Sequence, residues 1–279
     1  MRIGFNLLLW TGFVTEEHGH ALETIKAAGY DGVEIPLFDG DPAQYEVLGR
    51  RIADLGLGVT AVGLVPDAER SPISADARAR EGAAAHLRWL VDCTKALRAD
   101  VLCGPFHQPL GVFSGAGPTE EELARLVEAH RAMADYAGDL TLAIEPLNRF
   151  ECYVLNTAAQ AAAHVRAVRR PNFGYLYDTF HANIEEKDPV GVIAETATQI
   201  THVHISENDR GTPGKGHVPL AETLAALKAV GYDGWLTIEA FGLALPALAA
   251  ATRVWRKFYV DETEVVRDGI KAIRAGLAA

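Results

Sequence analysis

Four short stretches of this chain carry residue types that a polar reaction would need in one place. Leu142 to Arg149 reads LAIEPLNR and stops an apolar run on Glu145. The same event recurs in YLYDTF at Asp178, in HVHISE at His204 and in WLTIEAF at Glu239. Two glutamates, an aspartate and a single imidazole form an oxygen-rich donor set. Such a set suits a hard or borderline divalent cation in roughly octahedral geometry, Mn²⁺ first, with Mg²⁺ or Co²⁺ as alternatives; structural zinc would favour thiolates. Four protein ligands leave positions open for a substrate offering two adjacent oxygens, such as a carbonyl and a hydroxyl. The ion would stabilise charge on those oxygens as an enediolate forms, so the implied reaction is proton transfer beside a carbonyl. One strand-end glutamate by itself is more often solvated or salt-bridged than a ligand. Four ligand-type residues ending successive strands read as a set.

The elements that must position them follow from periodicity. Apolar strand-like runs alternate with helical patterns from end to end, the signature of a parallel sheet with crossover helices. Eight strands are expected near Ile3–Leu9, Val33–Ile35, Val59–Leu64, Val101–Cys103, Leu140–Ile144, Phe173–Tyr177, Ile200–Ile205 and Trp235–Ile238. Helices are expected near Glu17–Ala28, Pro42–Leu55, Ala75–Leu97, Glu120–Ala137, Ala158–Val168, Pro189–Thr198 and Leu220–Val230. The fold class is therefore α/β, a single (β/α)8 TIM barrel over residues 1–279, in which strand-end side chains converge at the carboxyl face. The segment from Asp261 to Ala279 places Val266, Ile270, Ile273 and Leu277 on one helical face and reads as an additional C-terminal helix. Two boundaries repeat, AAGYDGVEI and AVGYDGWLTIE, each a glycine C-cap followed by an Asp-Gly turn into the next strand.

Longer motifs around the four residues carry a family resemblance. IEPLNRFE, DTFHANIEE, HISENDRGTPGKGHV and GYDGWLTIEAF are similar to the ketose 3-epimerases, D-tagatose 3-epimerase and D-allulose (psicose) 3-epimerase, of the xylose-isomerase-like barrel superfamily. The resemblance is strong from about residue 140 to 242 and loose before it. It implies a metal held by Glu145, Asp178, His204 and Glu239, with both glutamates also moving the proton. It further implies that Glu151, His181 and Arg210 hold the sugar near its carbonyl end, and that the enzyme is a homo-oligomer, a dimer or tetramer. Epimerisation at carbon three fits this set, because one carboxylate must take a proton from one face of a planar enediolate and another must deliver one to the opposite face. An aldose–ketose isomerase, or an epimerase of an oxidised glycoside, would use the same metal and glutamates. A non-catalytic sugar-binding barrel is a further alternative, although it would not need two carboxylates on one metal.

The first half departs from the family. After the fourth strand the chain reads CGPFHQPLGVFSG, where Phe106, His107 and Phe113 are candidates for the pocket wall or, equally, for a packed loop. Trp10 ends the first strand and is a candidate to stack on a sugar face or, nearly equally, a core tryptophan at the barrel rim. Glu34 ends the second strand and is a candidate hydrogen-bond partner of a catalytic group. His202 shares a strand face with His204 and reads as an interior polar residue. GTPGKG lacks the strand-to-helix context of a phosphate loop. Composition excludes other classes: 279 residues at net charge −11 without a basic patch argue against a nucleic-acid partner. Barrel endonucleases of the same superfamily also use many more histidines. Three cysteines without CxxC spacing point to a reducing compartment, by default the cytoplasm. No run approaches a membrane span, and the short apolar start reads as a strand.

Overall fold

The computed structural model describes residues 1–279 and closes eight parallel strands into a barrel in sequence order. The strands are β1 (Arg2–Asn6), β2 (Gly32–Pro36), β3 (Gly58–Val62), β4 (Val101–Gly104), β5 (Thr141–Ile144), β6 (Phe173–Asp178), β7 (Ile200–Ile205) and β8 (Trp235–Ile238). Every residue of β2, β4, β6 and β8 is buried. A strand covered on both faces has no water-facing side, which is why these segments read as apolar runs rather than as alternation. Around them lie α1 (Gly19–Ala28), α2 (Pro42–Asp54), α3 (Ala77–Leu97), α4 (Glu120–Ala137), α5 (Ala158–Val168), α6 (Thr179–Glu185), α7 (Gly191–Thr196), α8 (Leu220–Ala229), α9 (Pro246–Thr252) and α10 (Glu262–Ala278).

Local chemistry starts and stops these helices. Asp41, Thr119 and Thr157 close capping boxes with Gln44, Glu122 and Gln160 at the starts of α2, α4 and α5. Gly29 takes the left-handed conformation that ends α1, at φ 89°. The repeated Gly-Tyr-Asp-Gly turns also serve the barrel floor. The Trp235 ring lies so close to Gly32 and Gly58 that a Cβ at either would come within 2.4 and 2.8 Å of it. Glycine is thus required where the bulkiest floor residue crosses β2 and β3.

Three expectations need correction. The strand expected over Ile3–Leu9 ends at Asn6, and Leu7–Leu9 form a 3-10 turn, so Trp10 follows a turn and does not end the strand. Glu34 does not end β2 but sits at its centre, followed by Ile35 and Pro36. The short helices α6 and α9 are additional to the expected set. The segment expected to be extra, α10, packs against α1 and α8 through Val265, Val266, Ile270 and Ile273, and Tyr30 donates to Val266 O across that seam at 2.8 Å. It fills the place of the eighth outer helix, while α6 and α9 ride on the loops at the carboxyl end. No helix is long and apolar enough to cross a membrane.

Candidate active site

Glu145 and Glu239 lie one residue beyond β5 and β8, but the neighbouring strands still hold their backbones. The Glu145 N–H donates to Gly104 O and the Glu239 N–H to Ile205 O, both at 3.1 Å. Asp178 is the last residue of β6 and also the N-cap of α6. Its Oδ1 accepts from the Phe180 and His181 amides at 2.6 and 3.2 Å, which fixes the carboxylate and leaves Oδ2 facing the barrel axis. His204 is paired with Asp178 in the β6–β7 register. Alternation along β7 therefore turns both His202 and His204 inward.

The four side chains meet. One ligand atom from each of Glu145, Asp178, His204 and Glu239 lies within 4.8 Å of the others, and all four residues are buried. His204 Nε2 donates to Glu34 Oε1 at 2.7 Å. Its Nδ1 lies 3.4 Å from Glu239 Oε1 and 3.7 Å from Asp178 Oδ2, without a hydrogen-bond partner. A fully buried nitrogen facing carboxylates with no partner of its own is what a metal-ligating imidazole looks like when its other nitrogen is held by a carboxylate. The donor set, three carboxylates and one imidazole, fits a divalent ion by the same chemistry that the sequence suggested.

Arg210 bridges this group to the neighbouring polar residues. Its Nη1 donates to Glu239 Oε2 at 2.7 Å and to Ser206 Oγ at 3.0 Å and lies 3.4 Å from Asp178 Oδ2; Nη2 lies 3.0 Å from His181 Nε2. The guanidinium carbon sits 3.7 and 4.7 Å from the ring centroids of Phe180 and Phe241, a cation–π sandwich that fixes its plane. The Arg210 backbone is left-handed at φ 64°, a cost in a non-glycine residue that its loop must sustain. Buried Glu207 helps to do so, accepting from the amides of Asn208, Gly214 and Val218 at 3.0, 2.9 and 2.9 Å. The GTPGKG amide at Gly214 is thus spent on a carboxylate of the protein itself. His181 Nδ1 accepts from the Asn148 N–H at 3.0 Å, and the Asn148 amide donates to Glu151 Oε1 at 2.8 Å. His181 Nε2 stands 3.6 Å from Glu145 Oε1.

Burial and neighbours perturb these groups in different directions. Burial, and next the Glu239 carboxylate, push the Glu145 carboxyl well above the ordinary carboxylate range. Burial also raises Glu151. Burial opposes the charge on Asp178, yet Arg210 and then His204 outweigh it and hold that carboxylate below its usual value. Burial disfavours a charged His204, but Glu34 and Glu239 overcome it and lift this imidazole well above normal. Burial, followed by Arg210, lowers His181 to about 3, so it is neutral at ordinary pH.

A small cavity, open to solvent, lies above this group and is lined by Glu145, Glu151, His181, Arg210 and Glu239. Its opposite wall is apolar and comes from the first half of the chain, including Leu8, Phe38, Val62, Leu64 and Leu110. Two of the sequence candidates are not brought there. Trp10 is half-buried, tilted against Phe5 with ring centroids 5.4 Å apart, and does not line the cavity. His107 is fully buried with neither ring nitrogen hydrogen-bonded, and likewise does not line it. Phe106 packs on His130, and Phe113 is exposed. Sequence reading gave no role to Asn6, whose amide donates to Glu34 Oε1 at 2.9 Å and lies 3.4 Å from Glu239 Oε1, or to Asn148. Asn148 is a polar residue inside LAIEPLNR, and that position was the signal available for it.

Comparison with known proteins follows the same lines. The family model for the xylose isomerase-like TIM barrel matches residues 22–275. A probable ketose 3-epimerase of Synechocystis sp. is 32% identical over 98% of this chain and 96% of its own. An L-ribulose 3-epimerase of Mesorhizobium japonicum is 34% identical over 99% and 94%. The crystal structure of a D-allulose 3-epimerase from Methylomonas sp. in complex with D-allulose superposes with a TM-score of 0.91 at 30% identity, covering 99% of this chain and 96% of that one.

Proposed function

Because the chain belongs to the ketose 3-epimerases of the xylose isomerase-like TIM barrel family, an isomerase family, we propose that it is a metal-dependent epimerase acting at carbon three of free ketoses. The observation that carries this reading is the pair of carboxylates, Glu145 and Glu239, which reach one small cavity from different strands beside an unpaired imidazole nitrogen. One of them takes the proton from carbon three and the other returns a proton to the opposite face, with the roles set by the configuration of the substrate. Arg210, His181 and Glu151 orient the oxygens near the carbonyl end. The ion, Mn²⁺ first among the candidates, would be held by Glu145, Asp178, His204 and Glu239, and when bound it supplies positive charge against the oxygens on carbons two and three.

The free sugar is favoured over its phosphate because Arg210 is the one cation on the cavity. Lys215 is engaged by Glu264 and Asp268 at 2.6 and 2.9 Å, and Arg149 by Glu185 at 2.9 Å. A phosphate is normally met by several basic side chains or by free helix amides. Ketoses of the D-fructose/D-allulose, D-tagatose/D-sorbose and L-ribulose kinds are therefore the expected substrates. The same reading includes a homodimer or homotetramer; exposed Phe113, Phe150, Trp255 and Val260, on loops after β4, β5 and β8, offer apolar surface for a second copy.

The test is incubation with D-fructose in D₂O, with Mn²⁺ and with a chelator. D-allulose carrying deuterium at carbon three is expected, and only with metal. An aldose product carrying deuterium at carbon two would replace this reading with the aldose–ketose isomerase. Full turnover in a verified metal-free preparation would remove the metal from it.

A further inference from the structure

Beneath the four strand-end residues, the barrel interior holds a second polar layer that the reaction does not require to touch substrate. At its centre is Glu34, fully buried at mid-strand. Its Oε1 accepts from Asn6 Nδ2 at 2.9 Å and His204 Nε2 at 2.7 Å. Its Oε2 accepts from Thr60 Oγ1 at 2.9 Å, His202 Nε2 at 2.8 Å and Cys103 Sγ at 3.2 Å. The donors come from β1, β3, β4 and β7, so one carboxylate on β2 ties together five of the eight strands of the barrel.

Barrel interiors are ordinarily filled by layers of bulky apolar side chains. Burying a carboxylate there is costly unless every lone pair is satisfied, and here five donors satisfy it. An apolar layer would support the strands as well, so structural support alone does not explain a charge in this place. Its effect on His204 does. A carboxylate only accepts, so Nε2 must carry the hydrogen, and the lone pair of a neutral His204 must then lie on Nδ1. That is the atom that has no hydrogen-bond partner and stands among Asp178 and Glu239. Asn6 couples the two layers, because its amide reaches both Glu34 and Glu239.

We propose that Glu34 is a positioning residue: clamped by Asn6, Thr60, Cys103 and His202, it holds His204 from below in the tautomer and ring orientation that present Nδ1 to a divalent cation. This inference rests on the metal-site reading given above. Glu34→Gln keeps the shape but replaces one acceptor with a donor. Either the Asn6 and His204 side or the Thr60, Cys103 and His202 side then faces an NH₂ group, and the layer must rearrange. Losing such an outer partner of a ligating histidine typically weakens metal binding about 10- to 100-fold.

The experiment titrates metal-free wild type and Glu34→Gln with Co²⁺, following heat and the visible spectrum of the bound ion, and measures kcat at rising metal concentration. The expected result is one equivalent bound by wild type, and Co²⁺ affinity about 10- to 100-fold weaker in Glu34→Gln with an altered visible spectrum. Turnover of the variant should recover at least in part when metal is in excess. Glu34→Asp, which keeps the charge and retracts it by one methylene, should fall between the two and serves if Glu34→Gln does not fold. A purely structural role would lower the melting temperature while leaving the Co²⁺ affinity and spectrum of the folded variant unchanged, and that result overturns the proposal. So does a second equivalent of Co²⁺ in wild type, with a thiolate charge-transfer band lost in Cys103→Ser. Glu34, Cys103, His202 and His204 would then themselves be ligands, since their donor atoms also lie within 4.8 Å of one another. Wild type that binds no metal defeats the metal-site reading itself, an outcome distinct from wild-type and variant proteins binding equally.

Discussion

Replacing Arg210 by methionine should destabilise the metal-free enzyme far more than the metal-loaded one. Arg210 is buried and is the only guanidinium touching the strand-end carboxylates, through its bond to Glu239 and its approach to Asp178. Methionine keeps an unbranched stem between Phe180 and Phe241 and inherits the same left-handed backbone. The change therefore removes charge and hydrogen bonds with little loss of packing. Removing one member of a buried ion pair costs about 3 to 5 kcal/mol, because the other is left uncompensated. For a chain of this size each kcal/mol moves the melting temperature by roughly 2 to 4 °C. A fall on the order of 10 °C is expected in the presence of chelator. With saturating Mn²⁺ the ion supplies the missing positive charge, so most of that fall should disappear and Mn²⁺ should bind at least as tightly as to wild type. Scanning calorimetry of both proteins with chelator and with Mn²⁺ gives the four numbers needed. Equal losses with and without metal would refute the reasoning, as would no loss in chelator. Turnover of ketose should drop in either case, because Arg210 is also proposed to hold the sugar.

Glu145→Gln and Glu239→Gln should each lower kcat by at least ~10²-fold with metal bound, the scale for losing a positioned acid or base; near-normal kcat in one of them would remove that residue from proton transfer. Glu207→Gln weakens the charged acceptor of three loop amides, so faster hydrogen exchange across 207–218 and a raised KM are expected, and unchanged exchange in the folded variant would show that the loop does not depend on this carboxylate. Buried His130 bonds His164 at 2.7 Å, and burial lowers it from 6.5 to about 4. Between those values the unfolded chain binds more protons, so the contribution of neutral His130 to stability is complete above pH 6.5 and is lost as pH falls toward 4. It is worth roughly 3 kcal/mol at most, at about 1.4 kcal/mol per tenfold change in proton affinity. Denaturant unfolding of His130→Gln across pH 4 to 8 should show a flatter pH dependence than wild type, and parallel curves would refute the assignment.

The eight strands, their order and the four strand-end residues were legible because each rests on a local pattern. A fully covered strand is an apolar run, its end is marked by the first ligand-type residue, and closure of a parallel barrel brings such ends to one face whatever lies between them. Elements of one or two turns were not legible. Helices α6 and α9 span seven residues each, too short for a helical period to show, although Asp178 before Thr179–Glu185 carried a capping signal. Leu7–Leu9 reads as strand in the sequence because a 3-10 turn packed in the core is as apolar as a strand. What only the tertiary structure decided is which atoms meet. The inward side of β2 follows from alternation, but nothing local says that Glu34 will receive His204 across 170 residues. Nor does anything local say that Arg210 will fold back between Phe180 and Phe241, or that His107 and Trp10 will turn away from the cavity. Periodicity chooses the face of a strand, whereas the closed barrel's register and the course of its loops set the height and direction at which each side chain arrives.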